Sequence, residues 1–259
     1  MDEVFYKNYI GDTLNLRGDG VFANYKALKD FAFEISNNAL SSQSKITSLT
    51  VVCLSRDSAN KLINTLEKDS TKSIYGKFYI NDWYIKVLYQ GLTIVEEYAD
   101  KIKLELSFYA ADTLFTKETE YQLTARQNSS GETINFPLNF PFNFGADALS
   151  ASTVVNDELL PADFVLRFNA PVSSVDITIG GNSYIVNAAI NSGETFVLDT
   201  AEKEVYKDTA LGKSSLLGAA SDDNYIFETI SSGVNSVVWS GDFNISLLLL
   251  SHRRTPPWI

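Results

Sequence analysis

Several residue types that build common functional sites are nearly absent from this chain. Its 259 residues include one cysteine, one histidine and one methionine. A lone cysteine excludes an intrachain disulfide, so nothing in the sequence requires an oxidising compartment. One histidine and one distant cysteine also cannot complete a four-ligand zinc site. Cys53 lies in a β-branched apolar stretch, which predicts a packed thiol in a strand rather than a nucleophile.

Long apolar runs and the usual enzyme motifs are missing as well. No apolar stretch approaches the ~18 residues that a transmembrane helix needs, so we expect no membrane insertion. The first residues, Met1-Asp2-Glu3, are acidic where a secretory signal would be basic. The sequence contains no Gly-x-Ser-x-Gly elbow, no glycine-rich phosphate loop and no dinucleotide fingerprint. It therefore predicts no catalytic residue, no cofactor and no metal.

The composition is that of a folded globular protein with an uneven charge. Hydrophobic residues make up 45% of the chain and charged residues 20%. The net charge is −11, of which residues 1–125 carry −3 and residues 126–259 carry −8. The second half should therefore repel nucleic acid phosphates and anionic membranes.

The first half predicts an α+β domain over residues 1–125. A helix is expected from Asp57, the predicted N-cap, to Lys68, because one apolar face is formed by Ala59, Leu62, Ile63 and Leu66. Strands are expected at residues 46–54, 75–79, 83–90, 94–98 and 101–110. One main helix with a run of antiparallel strands favours a β-sandwich or barrel as the framework of this domain.

The second half predicts strands and no helix. Short apolar or aromatic runs occupy residues 163–168, 175–179, 184–186, 196–199, 204–206, 225–230, 234–240 and 244–251. The segment Gly180-Gly181-Asn182 predicts a hairpin turn, because glycine supplies the positive φ that such a turn needs. At least seven short strands separated by turns predict an all-β sandwich or small barrel over residues 146–259.

A stretch rich in phenylalanine and proline divides the two halves. Residues 136–145 hold four of the sixteen phenylalanines and two of the six prolines, within a linker expected at residues 126–145. Proline cannot donate a ladder hydrogen bond, so the stretch is neither a helix nor a central strand. Aromatic side chains are costly to leave in water, and tryptophan favours contact surfaces. The candidate interface residues are Phe136, Phe140, Phe142, Phe144 and Trp258.

Neighbouring carboxylates are the remaining candidates for catalysis. Glu96-Glu97, Asp157-Glu158 and Asp222-Asp223 suggest a glycosidase acid and nucleophile. Adjacent residues of a strand point to opposite faces, so such a pair does not converge on one bond. In an acidic chain these pairs are usually solvated, and the sequence argues against a glycan hydrolase.

The order of these features resembles the distal tail (Dit-like, baseplate hub) protein family of long-tailed bacteriophages. The segments that carry the resemblance are residues 46–57, 75–79, 83–85, 108–112, 136–145, 175–181, 192–200, 232–239 and 247–253. Glu194 and Ser232 stand where the family more usually has Asp and Pro. The resemblance therefore covers most of the chain and rests on an ordered set of segments rather than on one motif.

This resemblance implies a structural protein without catalysis, located in the virion at the phage tail tip and made in the host cytoplasm. The first domain would form a homo-oligomeric ring, usually a hexamer in the family, around a channel that DNA passes without specific binding. The second would be a galectin-like sandwich that projects outward. The partners implied are the tail tube protein, the tail tip or hub protein and, at the periphery, a receptor-binding protein.

A carbohydrate-binding β-sandwich that attaches to a host surface is the alternative from another class. Trp83, Trp239 and Trp258 are the side chains that would stack on sugars, and β-sandwiches are common lectin scaffolds. Trp239 lies in the apolar stretch at residues 237–240, which favours core packing instead. The second half also lacks a histidine before His252, which weakens the comparison with sugar-binding galectins.

Overall fold

Two structural units make up the chain. A computed structural model describes residues 3–24, 35–36, 39–40, 45–110, 114–126 and 149–254. Residues 1–117 together with 252–259 form unit 1, and residues 118–251 form unit 2. The second unit thus begins at residue 118, and residues 252–254 belong to unit 1. Most of the linker predicted at residues 126–145 lies outside the described residues.

Unit 1 is built from antiparallel strands and one helix. Before the helix the strands are β1 (Val4–Lys7), β2 (Thr13–Asn15), β3 (Arg17–Gly18), β4 (Val21–Ala23), β5 (Ile35–Ser36), β6 (Ala39–Leu40) and β7 (Lys45–Cys53). Helix α1 (Arg56–Lys72) is followed by β8 (Gly76–Ile80), β9 (Trp83–Glu97), β10 (Ile102–Ala110) and β11 (Phe115–Leu123). β9 is central: its first part pairs with β8 and its second part with β10. From β8 the sheet continues to β1 and β2, and from β10 to β7, β4 and β3.

The helix predicted at residues 57–68 is confirmed and is longer than predicted. Its N-cap is Ser55 rather than Asp57, because the extended Ser55 accepts a hydrogen bond at Oγ from the Ser58 backbone N–H at 3.1 Å. Asp57 lies in the first turn, where a carboxylate still interacts favourably with the helix dipole. The helix ends before Ser73, which takes a left-handed conformation with φ 54°.

The core of unit 1 combines the apolar face of α1 with the inward faces of the strands. Its buried helical residues include Ala59, Leu62 and Leu66, as the spacing predicted. β10 alternates as predicted, with Leu104, Leu106 and Phe108 in this core. Cys53 is fully buried there and burial raises the pKa of its thiol, which confirms the prediction of a packed cysteine.

β9 is one strand where the sequence predicted two. The strand continues through Gly91 because β10 pairs with it from Val87 to Glu97. Two shifts of register, at Gln90 and Val95, leave these residues without a direct partner on β10. Such β-bulges bend and twist a strand without ending it. They interrupt the regular alternation of buried and exposed side chains, so this part of the sequence resembles a turn.

Unit 2 is a sandwich of two antiparallel sheets. Its strands after β11 are β12 (Leu149–Asn156), β13 (Asp163–Phe168), β14 (Val175–Ile179), β15 (Asn182–Val186), β16 (Thr195–Asp199), β17 (Glu204–Thr209), β18 (Gly212–Ser215), β19 (Gly233–Ser240) and β20 (Ile245–Arg253). One sheet contains β18, β17, β16, β13 and β20 in that order, and the other β12, β19, β14 and β15. Both contribute to one core, with Phe164 and Leu166 from the first sheet and Ile177 and Trp239 from the second.

Unit 2 confirms most predicted strands and corrects one. The hairpin of β14 and β15 turns at Gly180 and Gly181, whose φ values are 58° and 91°. Residues 225–230, predicted as a strand, form a loop instead. Ile226 and Ile230 of this loop are buried. The apolar residues that suggested a strand are therefore side chains that enter the core separately from an irregular loop. Leu123 at the end of β11 also packs in the core of unit 2.

Candidate functional site

The paired carboxylates show no catalytic arrangement. Glu96 and Glu97 lie at the exposed end of β9, where they accept hydrogen bonds from Lys103 and Arg56, each at 3.0 Å. The hydrogen bond from Lys103 holds the pKa of Glu96 below its usual value. Asp157-Glu158 and Asp222-Asp223 lie in loops of unit 2. Within the described ranges, no three His, Cys, Asp or Glu side chains are grouped so that they could hold a metal ion.

The single histidine and two of the tryptophans are packed against neighbouring residues. Nδ1 of His252 lies 3.2 Å from the Thr116 hydroxyl oxygen. The guanidinium carbon of Arg253 lies 5.3 Å from the ring centroid of Trp83, which is buried. Trp239 is also buried, and its indole N–H donates to the Phe243 carbonyl at 2.9 Å. The prediction that Trp239 packs in the core is therefore confirmed.

One open cleft of about 750 Å³ lies beside the outer face of α1. Its lining is polar and includes Asp12, Thr13, Asn60, Asn64 and Lys68. Lys68 and Asp12 are paired with each other at 2.7 Å, and the pKa of Asp12 is lowered by this hydrogen bond. The lining contains no aromatic ring on which a sugar or base could stack, so the cleft has no feature of a binding pocket.

The outward face of the unit 1 sheet carries a row of aromatic side chains. Phe5, Tyr79 and Tyr84 are direct partners on β1, β8 and β9. The rings of Phe5 and Tyr79 are stacked at a centroid distance of 4.5 Å, and those of Tyr79 and Tyr84 are tilted at 5.2 Å. Tyr6 follows Phe5 and Phe78 precedes Tyr79 in sequence, and both point into the core. Because neighbouring residues of a strand point to opposite faces, the aromatic row lies on the other side of the sheet.

A row of lysines runs beside the aromatic row on the same three strands. Lys7 pairs with Lys77 and Lys77 pairs with Lys86, each directly across neighbouring strands. Like charges in directly opposite positions destabilise a sheet. The Lys77 ammonium lies 4.1 Å from the ring centroid of Tyr84, and this cation–π contact counteracts the repulsion. We call the six residues of the two rows the aromatic–lysine face: Phe5, Lys7, Lys77, Tyr79, Tyr84 and Lys86.

The far end of β9 and the turn that leads to β10 form a second notable surface, which we call the hairpin arm (residues 93–101). Every side chain in it is exposed. Among them are Ile94, Val95 and Tyr98, with exposed fractions of 56%, 45% and 60%. Exposed apolar side chains that lie close together usually mark contact surfaces. The hairpin arm is therefore a candidate for contact with another protein.

Charge separates the two units more sharply than it separates the two sequence halves. Unit 1 contains 16 Lys and Arg against 15 Asp and Glu, for a net charge of +1. Unit 2 contains 5 against 17, for a net charge of −12. The acidic character of the protein thus belongs to unit 2, and the aromatic–lysine face lies on the unit that carries almost no net charge.

The interface residues predicted from the sequence remain predictions. Phe136, Phe140, Phe142, Phe144 and Trp258 all lie outside the described residues. The aromatic–lysine face was not predicted, because its rows depend on the register between strands that are far apart in sequence. A local signal exists only in the alternation of each strand, such as Phe5-Tyr6-Lys7 and Lys77-Phe78-Tyr79. The hairpin arm was missed because the strand pattern at residues 94–98 does not show that every side chain of this paired segment is exposed.

Comparison with known proteins gives structural matches but no sequence match. No family model matches the chain, and no curated protein matches its sequence. The SPP1 Dit protein, described as a paradigm of the hub adsorption apparatus in phages that infect Gram-positive bacteria, matches with a TM-score of 0.57 at 10% identity. The match covers 98% of this chain and 99% of that protein.

Two structures of the activated phage p2 baseplate show the same likeness. The form with calcium matches with a TM-score of 0.60 and the form with strontium with 0.61, both at 11% identity. Each match covers 99% of this chain and 100% of the baseplate chain. The chain therefore has the fold of phage Dit and baseplate proteins from end to end, which confirms the resemblance predicted from the sequence at the level of fold.

Proposed function

We propose that this chain is a structural, non-catalytic component of the tail tip of a long-tailed bacteriophage. The observation that carries the proposal is the likeness to the Dit and baseplate structures over nearly the whole length of both chains. A likeness confined to one sandwich would fit many unrelated functions. The ordered succession of a helix-containing unit and a two-sheet sandwich is far more specific.

In the proposed assembly, unit 1 forms a homo-oligomeric ring of about six copies, as the family resemblance implies, and unit 2 is a galectin-like sandwich. The ring joins the tail tube protein to the tail tip or hub protein, and it carries host-adhesion proteins at its periphery. The hairpin arm supports self-association, because it exposes the apolar side chains of Ile94, Val95 and Tyr98. We retain Phe136, Phe140, Phe142, Phe144 and Trp258 as candidate interface residues.

Passage of DNA through the ring without specific binding also belongs to the proposal. The acid excess that would repel DNA lies in unit 2, whereas unit 1 carries a net charge of +1. Repulsion of DNA by the channel would therefore depend on where the charged side chains of unit 1 point rather than on its net charge. A map of the assembled ring with a basic channel wall would contradict this part of the proposal.

The sugar-binding alternative receives less support from the described residues. Trp83 and Trp239, two of the three tryptophans that suggested it, are buried and cannot stack on a sugar. A glycan array with the full chain tests whether the third tryptophan, Trp258, contributes to sugar binding. Reproducible binding that is lost in Trp258→Ala would favour a carbohydrate-binding module over a structural role.

The decisive experiment for the structural proposal is particle microscopy combined with mass measurement. The purified chain is examined by light scattering and negative-stain microscopy, and the phage particle is labelled with an antibody against the chain. We expect closed rings and labelling confined to the distal end of the tail. Label on the capsid or along the whole tail would refute the proposal.

A further inference from the structure

We propose that residues 132–136 of this chain pair with the open edge of β12 and extend the second sheet of unit 2 by one strand. Two observations carry the proposal. One is the direction of the β12 backbone, and the other is the place where the chain leaves and re-enters the described part of unit 2. The pairing takes place within one chain, so it goes beyond the proposed function and does not depend on a ring.

β12 turns hydrogen-bonding groups of its backbone away from β19, its neighbour in the sheet. Val155 shows this directly, because its N–H and C=O both meet the hydroxyl of Tyr121, at 3.4 and 2.8 Å. Ser236, the partner of Thr153 on β19, directs its C=O to the Gly180 N–H at the end of β14 instead of toward β12. Every second residue of a strand turns its backbone groups to the same side. The residues with outward N–H and C=O groups are therefore Leu149, Ala151, Thr153 and Val155.

This edge of β12 has no neighbouring strand among the described residues and no built-in protection. The strand (Leu149–Asn156) contains no charged residue and no proline, and its register with β19 is unbroken. Two other outer strands are protected. β15 is covered where residues 219–221 hydrogen-bond to Ile185 and Asn187, and β18 is four residues long and carries Lys213. Proteins cover, shorten or charge their edge strands because an open edge pairs readily with another strand, so β12 is a site for a further strand.

The chain itself can supply a strand at this edge. Residues 127–148 connect Arg126 to Leu149 and lie outside the described residues. The Arg126 N–H donates to Oγ of Ser150 at 3.1 Å, so this connection starts beside the first residues of β12 and also ends there. A tethered segment has a far higher effective concentration at the edge than a strand of a separate protein. The connection is therefore the favoured occupant.

Residues 132–136 are the part of the connection that suits a strand. Thr133 and Ile134 are its only β-branched residues, and Phe136 also has a high β propensity. Pro137 follows directly, and a proline is tolerated at a sheet edge only where the position of its missing N–H faces away from the neighbouring strand. Since this direction alternates, Ile134 and Phe136 turn their N–H and C=O groups toward β12.

One antiparallel register satisfies these conditions. In this register Phe136 lies opposite Leu149. Ile134 then lies opposite Ala151, and the pairing ends before Val155, whose backbone groups already have a partner. Leu149 is 55% exposed, and the ring of Phe136 covers it from the added strand.

The same register gives the phenylalanine-rich stretch a position. Residues 137–148 become the loop of a β-hairpin, and both ends of this loop lie at the start of β12. Loops held by a rigid sheet are common contact sites, so the loop is suited to meet a neighbouring protein. It contains three of the candidate interface residues, Phe140, Phe142 and Phe144.

Engineered cysteine pairs test the register. Ile134→Cys with Ala151→Cys places two thiols on directly opposite residues, about 5.5 Å apart between Cα atoms, and a disulfide spans this distance. The matched control, Ile134→Cys with Thr153→Cys, is shifted by two residues to about 7–8 Å, which is too far. The native Cys53 is fully buried in unit 1 and is present in both variants.

Mass spectrometry of peptides from the monomer band identifies the linked residues. We expect the intrachain disulfide of the first pair to form at least about tenfold faster than that of the control under the same mild oxidation. Equal rates for the two pairs would overturn the register. A disulfide found only between copies would overturn the pairing within one chain and assign the edge to a second copy.

Proline substitutions give a second readout that needs no cross-link. Ile134→Pro removes an N–H that donates to β12, whereas Asn135→Pro removes one that faces away from it. Amide hydrogen exchange of residues 149–153 is followed by mass spectrometry in the full-length chain. We expect exchange at Ala151 and Thr153 to be at least about tenfold faster in Ile134→Pro than in both the wild type and Asn135→Pro.

The exchange rates also distinguish the other occupants of the edge. Equal exchange in all three proteins would show that the edge is open or bound by something other than residues 132–136, and the proposal would fail. Protection of the wild type that develops only when the protein concentration is raised would assign the edge to a second copy and would also overturn it. Both experiments read a single chain in solution, so their results stand whether or not the protein is found at the tail tip.

Discussion

The hydroxyl of Tyr6 donates a hydrogen bond to the carboxylate of Asp69, and both side chains are completely buried. The other carboxylate oxygen of Asp69 accepts from the backbone N–H of Tyr9 at 2.9 Å. These bonds join β1 to the last turn of α1, which are 63 residues apart in sequence. A buried carboxylate is costly unless it is hydrogen-bonded, so this contact should have a large influence on the stability of unit 1.

Tyr6→Phe should destabilise the protein by about 1–3 kcal/mol, because it leaves one oxygen of a buried carboxylate without its donor. Equilibrium unfolding in urea measures the change. Tyr75→Phe is the matched control, since Tyr75 lies at the surface and should tolerate loss of its hydroxyl. If the two variants are equally stable, Asp69 has found another donor and the contact is not important for stability.

The same tyrosine should make stability depend on pH in the alkaline range. Burial, reinforced by Asp69, raises the pKa of Tyr6 far above its ordinary value of 10.0. Above pH 10 the unfolded chain loses a proton that the folded chain keeps, so the free energy of unfolding falls as the pH rises. Below that pH both states are protonated and this contribution is constant.

Unfolding in urea at a series of pH values around 10 tests this dependence. Burial also raises the pKa of Tyr184, so this residue adds to the fall in the free energy of unfolding as the pH rises. Tyr6→Phe should therefore show a shallower loss of stability than the wild type, without abolishing it. Identical slopes in the two proteins would mean that the Tyr6 phenol ionises at its ordinary pKa when folded.

Gly76→Ala tests the packing around the same contact. A Cβ atom added at Gly76 would overlap the Tyr6 hydroxyl oxygen and Oδ2 of Asp69. We expect a loss of about 1–3 kcal/mol in unfolding free energy, as for other overpacked core positions. Gly218→Ala is the control, because an added Cβ there meets nothing within 4 Å. Equal thermal midpoints for the two variants would show that the Tyr6 and Asp69 side chains move apart at little cost.

The sequence predicted those elements whose signals are local. Helix α1 follows from the spacing of Ala59, Leu62 and Leu66, and the β14–β15 hairpin follows from its paired glycines. Residues 225–230 were predicted wrongly, because Ile226 and Ile230 enter the core from an irregular loop, and burial alone does not distinguish this from a strand. Alternation within a short segment reports which side chains are buried, not how the backbone is paired.

The aromatic–lysine face depends on information that no local pattern contains. The aromatic–lysine face exists only because Lys7 lies opposite Lys77, and Lys77 opposite Lys86. A shift of one residue in any of these registers would turn a lysine into the core. Register is set by the packing of the whole sheet, so the face could be recognised only once the fold was known.

The phenylalanine-rich stretch at residues 136–145 gives a prediction about assembly. Phe140→Ser combined with Phe142→Ser should impair oligomerisation more than folding, because these side chains are proposed to lie at an interface between copies. Analytical ultracentrifugation measures the first and thermal unfolding the second. An oligomer that survives this double substitution would place the two aromatic rings within a single chain.

The hairpin arm gives the most direct test of self-association. Ile94→Asp combined with Val95→Asp introduces two charges where the side chains are already 56% and 45% exposed, so the free energy of unfolding should change by less than about 1 kcal/mol. If the arm packs against a neighbouring copy, burying these charges should weaken association by at least about tenfold. Leu211→Asp is the matched control, because this fully exposed leucine lies between β17 and β18 of unit 2. Sedimentation velocity over a concentration series compares the three proteins, and equal association of both variants and the wild type would exclude the arm from the interface.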